Sequence, residues 1–533
     1  DIVFRSFSAT SKEQGDMKNI ICVLLILMFL FVFSGISFTL DIKIDEEMSR
    51  AIDRLLFIAA GTQNRVLKIS LVDVIAYALK SNSEILIKQI DPKLKEDDVK
   101  IARADFEPIF SADYTLHSNA KASSSSLSGA NISHTRDIDF NAGMSGKLIT
   151  GTEYAIDFIN ERYKTNSSFQ SMNPYYATEP KITITQPIFR DSGILVNTAN
   201  VVIAQNNEKV SEEDFKEAVM DIITKTKVRY YNFMYFLENY SIASSSLERA
   251  KGLLEISKTR YKKGLVSSLD LLEVETAVAD REKALISAEA SLKKAEDDLK
   301  LITNLVDDPE LWNAKLELID DKPEFNEQNL DLFECLKNSF QYRPDYNSNK
   351  AYLENKGIKI LTAQDALFPT VDLVGSFGLN GLGKDYQDAL DNTKSDYKDW
   401  SVGFKVSVPW GGSERAKLNQ RKLELAQAII AFKRLEQNII LDVRDKIRAV
   451  NIAMRQIKAS RLSKEKEIRN YQAQKERYAA GHVSTHDILD YQENLARAEL
   501  DYIKSLIDYN IAIVNLDKSQ GLALIKNNIM MEG

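Results

Sequence analysis

Two stretches of this chain almost lack glycine and proline, the residues that most often interrupt helices. Only Gly252 intervenes between Gly193 and Gly264, and neither residue type occurs between Gly412 and Gly481. Apolar residues in both stretches recur in mixed steps of three and four, which predicts helices with a narrow apolar stripe. A helix of about 65 residues is roughly 100 Å long, so we expect lateral coiled-coil packing rather than burial in one compact domain. The stripe residues are Phe215, Val219, Ile222, Thr226, Tyr230, Phe233, Leu237 and Tyr240, then Phe432, Leu435, Ile439, Val443, Ile447, Val450, Met454 and Ile457.

The composition excludes several classes of protein. The 533 residues include only 10 Pro and 21 Gly, so turns should be few and elements long. Apolar residues make up 44% and the mean hydropathy is −0.26, which argues against a polytopic helical membrane protein but not against a membrane β-barrel. The formal net charge of −8, without a long basic stripe, argues against a nucleic-acid partner.

The beginning of the chain has the pattern of an export signal. Met17 and a lysine precede an unbroken apolar run, 20–33, and a small-residue cleavage pattern, 34–37. After cleavage Cys335 would be the only cysteine, so we expect no internal disulfide. The pattern predicts an exported protein that is soluble or inserts into an outer membrane.

The second half of the chain repeats the first. Arg260–Leu272 matches Arg477–Leu489, since both read Arg-Tyr-x-x-Gly-x-Val-Ser-x-x-Asp-x-Leu. Each repeat consists of a helix, strands, a long helix, a glycine turn and a helix, which indicates internal duplication. The predicted division is 1–16, a non-native upstream segment; 17–37, a signal peptide; 38–67, an N-terminal extension with an amphipathic helix around 46–57; 68–305, the first repeat; 306–329, a connector; 330–520, the second repeat; and 521–533, a C-terminal tail.

The segments between the helices alternate between apolar and polar residues, which predicts strands. A hairpin turn is expected at Thr150-Gly151, Trp400 is a candidate interfacial aromatic, and Trp410 should pack locally. The strand pattern alone fits a membrane β-barrel or a small soluble sandwich equally well, and the export signal favours the barrel. The candidate strands are 110–117, 137–148, 153–163 and 181–188 in the first repeat, and 371–379 and 400–408 in the second.

These features together resemble the TolC-like outer-membrane efflux protein family along nearly all of the chain after 37. The duplicated plan carries the resemblance, with Pro108 and Pro369 before strands and Gln186-Pro187-Ile188-Phe189 before a glycine-started helix. The repeated Arg-Tyr-x-x-Gly motif is its most specific part. Family members have four strands per protomer, so six candidates imply either a barrel of more than twelve strands or a hairpin outside it.

The resemblance implies a fold and a function. The fold is a homotrimer with an outer-membrane β-barrel, in contact with lipid, above a long α-helical coiled-coil barrel. The function is a passive exit channel for efflux or type I secretion that reaches from the outer membrane into the periplasm. Its periplasmic end is gated and meets a periplasmic adaptor and an inner-membrane pump. No enzymatic activity, catalytic residue or cofactor is implied.

Acidic residues after each glycine turn have two interpretations. Ser267 with Asp270, and Ser484 with Asp487, have capping-box spacing, which by itself explains both aspartates. The resemblance instead implies an acidic ring at the pore constriction, which would attract cations and raise some of the carboxyl pKa values by crowding. The candidates for the constriction and gate are Asp487, Asp490, Asp270, Glu273 and Tyr478.

Gly264 and Gly481 are predicted left-handed caps that end long helices. Tyr261 is expected to pack, whereas for Tyr478 both packing and hydrogen bonds that hold a closed gate stay open. His482 lies four residues before another histidine, but without a third ligand nearby we predict no metal site. The resemblance implies that the turns dock the adaptor through Gly264, Leu265, Val266, Ser267, Gly481, His482, Val483 and Ser484.

Two other classes of function are alternatives to an exit channel. A soluble periplasmic coiled-coil structural or adaptor protein would share the helices but would need neither a lipid-facing surface nor detergent. An enzyme is the weakest alternative, because the sequence contains no glycine-rich phosphate loop, nucleophile elbow or metal-ligand cluster.

Overall fold

The computed structural model describes residues 42–43, 66–123, 129–305, 309–323 and 325–531. The predicted upstream segment, signal peptide and amphipathic helix around 46–57 lie outside these residues. Of the described residues, 66–123, 129–305, 309–323 and 325–530 belong to one compact unit, and 42–43 with 531 belong to a second. None of the described helices is both long enough and apolar enough to cross a membrane.

The helices and strands are named here in chain order. The α-helices are α1 (Leu71–Ser81), α2 (Ser83–Ala104), α3 (Ile194–Asn197), α4 (Ala199–Lys262), α5 (Ser268–Ile302), α6 (Pro309–Trp312), α7 (Leu332–Tyr342), α8 (Pro344–Asp365), α9 (Tyr386–Asp391), α10 (Ser413–Ala479) and α11 (Thr485–Ser519). The strands are β1 (Ile42–Lys43), β2 (Val66–Ile69), β3 (Ile109–Ala122), β4 (Ile132–Lys147), β5 (Glu153–Thr165), β6 (Tyr175–Pro187), β7 (Lys315–Leu318), β8 (Thr370–Leu379), β9 (Gly381–Gly383), β10 (Lys398–Ser407) and β11 (Met530–Met531).

The two predicted long helices are confirmed. Helix α4 has 64 residues and α10 has 67, so each is roughly 100 Å long. Each folds back on the helix that follows it, α4 on α5 and α10 on α11. Where the following helix covers each long helix, the predicted stripe faces these contacts. Tyr230 and Phe233 cluster with Leu299 of α5, and Val450 and Ile457 cluster with Leu506 of α11. Further along α10, Ile439 and Val443 pack against Cys335 of α7 instead. The buried members of the stripe are Phe215, Val219, Ile222, Thr226, Tyr230, Phe233, Ile439, Val443, Val450 and Ile457.

The largest apolar cluster lies around the middle of α4. Tyr230 and Phe233 of α4 meet Leu299 of α5 there. Two short parallel strands, β2 and β7, join the cluster through Leu67 and Leu316, which are partners in the register. Strand β2 spans the predicted boundary at residue 67, and β7 lies in the predicted connector, 306–329. The connector therefore returns to the start of the first repeat and packs there.

Six long strands form one antiparallel sheet in the order β10-β8-β6-β5-β4-β3, and the short β9 pairs with β6. All six candidate strands are therefore present. Those of the first repeat are longer than predicted, with 13–16 residues. The hairpin predicted at Thr150-Gly151 joins β4 to β5, where the Gly151 amide donates to the Leu148 carbonyl at 2.8 Å.

The register places most apolar residues of the six strands on one face of the sheet, whereas Ile109, Ile159 and Val374 lie on the other. Phe110 is opposite Met144, and Ile182 is opposite both Ile156 and Phe377. Because side chains directly opposite each other project from the same face, the stripes join into a continuous band. The band contains Phe110, Ala112, Tyr114, Leu116, Ile138, Phe140, Ala142, Met144, Tyr154, Ile156, Phe158, Ile182, Ile184, Val371, Leu373, Phe377, Trp400, Val402, Phe404 and Val406. The other face carries Asp113, Asp139, Asn141, Asp157, Glu161, Lys181, Thr183, Asp372, Ser376, Ser401 and Lys405.

The prediction that Trp410 packs locally is wrong. Its side chain is 96% exposed. It follows β10, which lies at one edge of the sheet, so no neighbouring strand is available to cover it. The indole instead extends the line of exposed apolar side chains along β10 and the residues after it, such as Phe404 and Val408.

The turn between β4 and β5 is tied to the end of the sheet from which the long helices start. The Gly193 amide, just before α3, donates to the Thr150 carbonyl at 3.1 Å. The Thr152 hydroxyl donates to the Gln186 side-chain carbonyl at 2.6 Å. Gly151 has φ +93°, and a Cβ on it would overlap the Asp191 carbonyl oxygen.

Gly151→Ala is therefore expected to destabilise the protein by about 1–3 kcal/mol, through backbone strain and displacement of the Asp191 carbonyl. Thermal unfolding of the purified protein measures the effect. The matched control is Gly375→Ala in β8, where a Cβ would meet nothing within 4 Å. Equal melting temperatures for the two variants would contradict the prediction.

Candidate functional site

The two glycine turns lie side by side and have the same backbone geometry. Gly264, after α4, has φ +72°, and Gly481, after α10, has φ +81°. The next amides, of Leu265 and His482, each donate to a carbonyl five residues earlier, at 2.9 Å. This is the left-handed glycine cap predicted for both turns. The turns place α5 and α11 antiparallel to the helices before them.

Both predicted capping boxes are present. The Ser267 hydroxyl accepts from the Asp270 amide at 3.1 Å, and the Asp270 carboxylate accepts from the Ser267 amide at 2.8 Å. Ser484 and Asp487 make the corresponding bonds at 3.1 and 3.3 Å. The capping-box interpretation of the two aspartates is therefore confirmed, because each of them caps a helix.

These bonds also lower the pKa of both caps. The amide and then the hydroxyl of Ser267 lower the pKa of Asp270, and the hydroxyl and then the amide of Ser484 lower the pKa of Asp487. In a single chain the two carboxyl pKa values are therefore lowered. The increase expected from crowding concerns carboxylates that several copies would bring together. Since the folded-state pKa is lowered, the ionised caps stabilise the helix starts above the ordinary pKa. That contribution is lost as the pH falls through the lowered values.

The other two acidic candidates lie one turn further along the same helices. Asp490 is exposed, and its carboxylate lies 3.6 Å from Nε2 of His486. Glu273 occupies the corresponding position of α5 and is half-buried. Neither belongs to a capping box, so their charges need another explanation. In the part of the chain that the structure describes, no three His, Cys, Asp or Glu side chains are grouped as metal ligands.

Tyr478 both packs and forms polar contacts. Its side chain is only 4% exposed and lies in a cluster with Leu253, Val274 and Ile488, which joins the two repeats. Its hydroxyl oxygen is 3.4 Å from the Ser257 hydroxyl oxygen on α4. Tyr261, its counterpart in the first repeat, is 45% exposed, so the prediction that Tyr261 packs is wrong. The two copies of the motif are therefore not equivalent in the fold.

Arg260 is a residue of this site that the sequence interpretation missed. Its guanidinium lies over the Tyr478 ring, 4.5 Å from the centroid, and Nη2 donates to the carbonyls of Tyr478 and Ala479 at 2.9 and 3.1 Å. These carbonyls end α10, where a cation is also favoured by the helix dipole. The only sequence signal for Arg260 was its place in the repeated motif. Arg477 has the same place in the second copy of the motif, but it donates to Gln474 on its own helix. The motif alone therefore does not distinguish the two arginines.

Ser484→Ala is expected to weaken the start of α11 by about 1 kcal/mol, because the hydroxyl that accepts from the Asp487 amide is lost. Hydrogen exchange at pH 7 should then be about fivefold faster for the amides of the first turn of α11. The matched control is Ser291→Ala in the middle of α5, where the hydroxyl only donates to the Ser287 carbonyl. Unchanged protection at Asp487 would show that the box does not hold the turn.

The sequence matches the model of one protein family over most of its length. The model described as outer membrane efflux protein matches residues 74–305 and 336–522. The chain belongs to the outer membrane efflux protein family. The family resemblance seen in the sequence is thereby confirmed.

Curated relatives of this outer membrane efflux protein are distant. Toxin and drug export protein A of Aggregatibacter actinomycetemcomitans is 22% identical over 237 residues, 43% of this chain and 50% of that protein. Outer membrane protein OprJ of Pseudomonas aeruginosa is 22% identical over 314 residues, 58% of this chain and 63% of OprJ. The matches thus span between half and two thirds of the length of these curated relatives.

Solved structures share the fold over more of the chain. The CmeC outer membrane channel of Campylobacter jejuni has a TM-score of 0.62 at 18% identity, over 85% of this chain and 86% of CmeC. The open state of the MtrE outer membrane channel of Neisseria gonorrhoeae has a TM-score of 0.59 at 18% identity, over 92% of this chain and 96% of MtrE. The shared fold is mainly helical and includes a sheet.

Proposed function

We propose that this protein is the outer-membrane exit channel of a tripartite efflux or type I secretion system. It is a passive conduit through the outer membrane and the periplasm, gated at its periplasmic end. The observation that carries the proposal is the sheet, whose apolar band runs across six strands while the other face is mostly polar and charged. A wall between lipid and a water-filled lumen requires this division. Membership of the outer membrane efflux protein family supports it.

The proposed assembly is a homotrimer. Within the described residues β3 and β10 each pair along one side only, which leaves two strand edges for neighbouring copies. A closed barrel would satisfy both edges in lipid. Helix α10 also exposes large apolar side chains that neighbouring copies or an adaptor would cover, namely Leu423, Ile430, Leu441, Ile452 and Leu462. A periplasmic adaptor and an inner-membrane pump are the proposed partners at the other end.

The paired glycine turns are the proposed periplasmic end. They lie at the far ends of the two long helices, away from the sheet. Gly264 to Ser267 and Gly481 to Ser484 would dock the adaptor. Asp270, Glu273, Asp487 and Asp490 would line the constriction. Tyr478 would hold it closed. Conduction makes and breaks no bond, so none of these residues is assigned a catalytic role.

Fractionation of the host envelope on a density gradient tests the proposal. The protein, followed with an antibody, is expected in the outer-membrane fraction and in solution only after detergent extraction. Recovery in the soluble periplasmic fraction without detergent would overturn the proposal and favour a coiled-coil structural or adaptor protein.

A further inference from the structure

The β4–β5 hairpin of the first half of the chain has no counterpart among the long strands of the second half. Between its helices the second repeat has the long strands β8 and β10, whereas the first has β3, β4, β5 and β6. We propose that β4 and β5 are two further membrane-spanning strands whose outer face contacts lipid acyl chains. The wall would then have six strands per copy, eighteen in the trimer, and this inference rests on the proposed function.

The hairpin cannot lie beside the wall without breaking the sheet. It occupies the middle of the strand order, between β3 and β6. Strand β4 pairs with β3 from Ile132 to Ser145, and β5 pairs with β6 from Glu153 to Tyr163. Strands β3 and β6 are therefore connected only through the hairpin. If β3 and β6 belong to the wall, β4 and β5 belong to it as well.

The hairpin also has the two-faced pattern of a wall. Strand β4 contributes Phe140 and Met144 to the apolar band, and β5 contributes Ile156 and Phe158. Phe140 is 42% and Ile156 is 45% exposed in the single chain. If the hairpin projected into water, its apolar face would stay exposed to solvent. Lipid acyl chains would cover that face.

The hairpin spans the same height as its neighbours. Its turn is tied to the helix-side end of the sheet through the bond between Gly193 and Thr150. Its strands have 16 and 13 residues, more than the 9–11 that cross a bilayer when tilted. Adding two strands keeps the number even, so β3 and β10 still run in opposite directions. Edge pairing between copies can therefore be antiparallel throughout the barrel.

The added strands would change the lumen in size and charge. Because barrel diameter grows roughly linearly with strand number, eighteen strands give about 1.5 times the diameter of twelve. The polar face of the hairpin carries more carboxylates than cations: Asp137, Asp139, Glu153, Asp157 and Glu161, against Lys147. The outer mouth would thus be wider than a twelve-stranded one and would attract cations.

Fluorescence quenching of single labelled cysteines tests the proposal in the full-length chain. In a background that carries both Cys22→Ala and Cys335→Ala, cysteines at Ala142 and Ile156 on the apolar face of the hairpin are labelled with an environment-sensitive dye. The protein is reconstituted into phosphatidylcholine vesicles with or without brominated acyl chains. Val402→Cys, on the apolar face of β10, is the lipid-facing reference. Ser145→Cys, on the polar face of β4, is the matched water-facing control.

We expect brominated lipid to quench the labels at Ala142 and Ile156 as strongly as at Val402, within about twofold, and several times more than at Ser145. Two hairpin positions are used so that the result survives misfolding of one variant. Quenching at Val402 but at neither hairpin position would overturn this inference and leave the proposed function standing. Absence of quenching at Val402 as well would overturn the proposed function and this inference with it.

Discussion

Arg260→Ala is expected to raise the open probability of the reconstituted channel severalfold. The substitution removes the hydrogen bonds from the guanidinium to the carbonyls of Tyr478 and Ala479 and the cation–π contact with the Tyr478 ring. Bonds that involve a charged donor contribute about 1.5–3 kcal/mol, and this site is half-buried. A loss of about 1.4 kcal/mol changes the ratio of closed to open tips tenfold. Planar-bilayer recording at neutral pH measures the change.

Arg477→Ala is the matched control for this prediction. Arg477 has the same place in the second copy of the motif, is exposed, and donates to Gln474 on its own helix rather than to the other tip. Its loss should leave the open probability close to that of the parent protein. Tyr478→Phe should have a smaller effect than Arg260→Ala, because the ring stays under the guanidinium and only the contact with Ser257 is lost. A folded Arg260→Ala protein with the parental open probability would show that this contact does not hold the tip closed.

Elements whose pattern is local could be predicted from the sequence. The near absence of glycine and proline marked α4 and α10, and alternation marked all six long strands. The serine and aspartate spacing marked both capping boxes. In each case the physical cause lies within a few residues of the pattern, so no knowledge of the tertiary structure was needed.

Features that depend on distant partners could not be predicted. Arg260 and Arg477 have the same local sequence, and only the packing of one hairpin against the other gives Arg260 its acceptors. Strands β2 and β7 are short and far apart in the chain, and their pairing is fixed by burial of Leu67 and Leu316. The exposure of Trp410 could not be predicted, because it depends on the position of β10 at the edge of the sheet.

The double variant Asp487→Asn with Asp490→Asn is expected to lower the ratio of cation to anion permeability severalfold. In the proposed trimer these two positions would place six carboxylates around the narrowest part of the pore, where fixed negative charge concentrates cations. The bonds from Ser484 lower the pKa of Asp487, so its charge is present at neutral pH. Block by hexaamminecobalt, a trivalent cation, should weaken by at least tenfold. Reversal potentials in a salt gradient and titration of the block measure the two effects.

The single variant Asp490→Asn separates a charge effect from a structural one. Asp487 caps α11, so its loss can alter the turn, whereas Asp490 makes no capping bond and faces solvent beside His486. A drop in selectivity with Asp490→Asn alone therefore assigns the effect to charge in the pore. Asp297→Asn, an exposed carboxylate on α5 far from the turn, is the control for any surface charge. If Asp490→Asn behaves like Asp297→Asn, the assignment of Asp490 to the acidic ring is wrong.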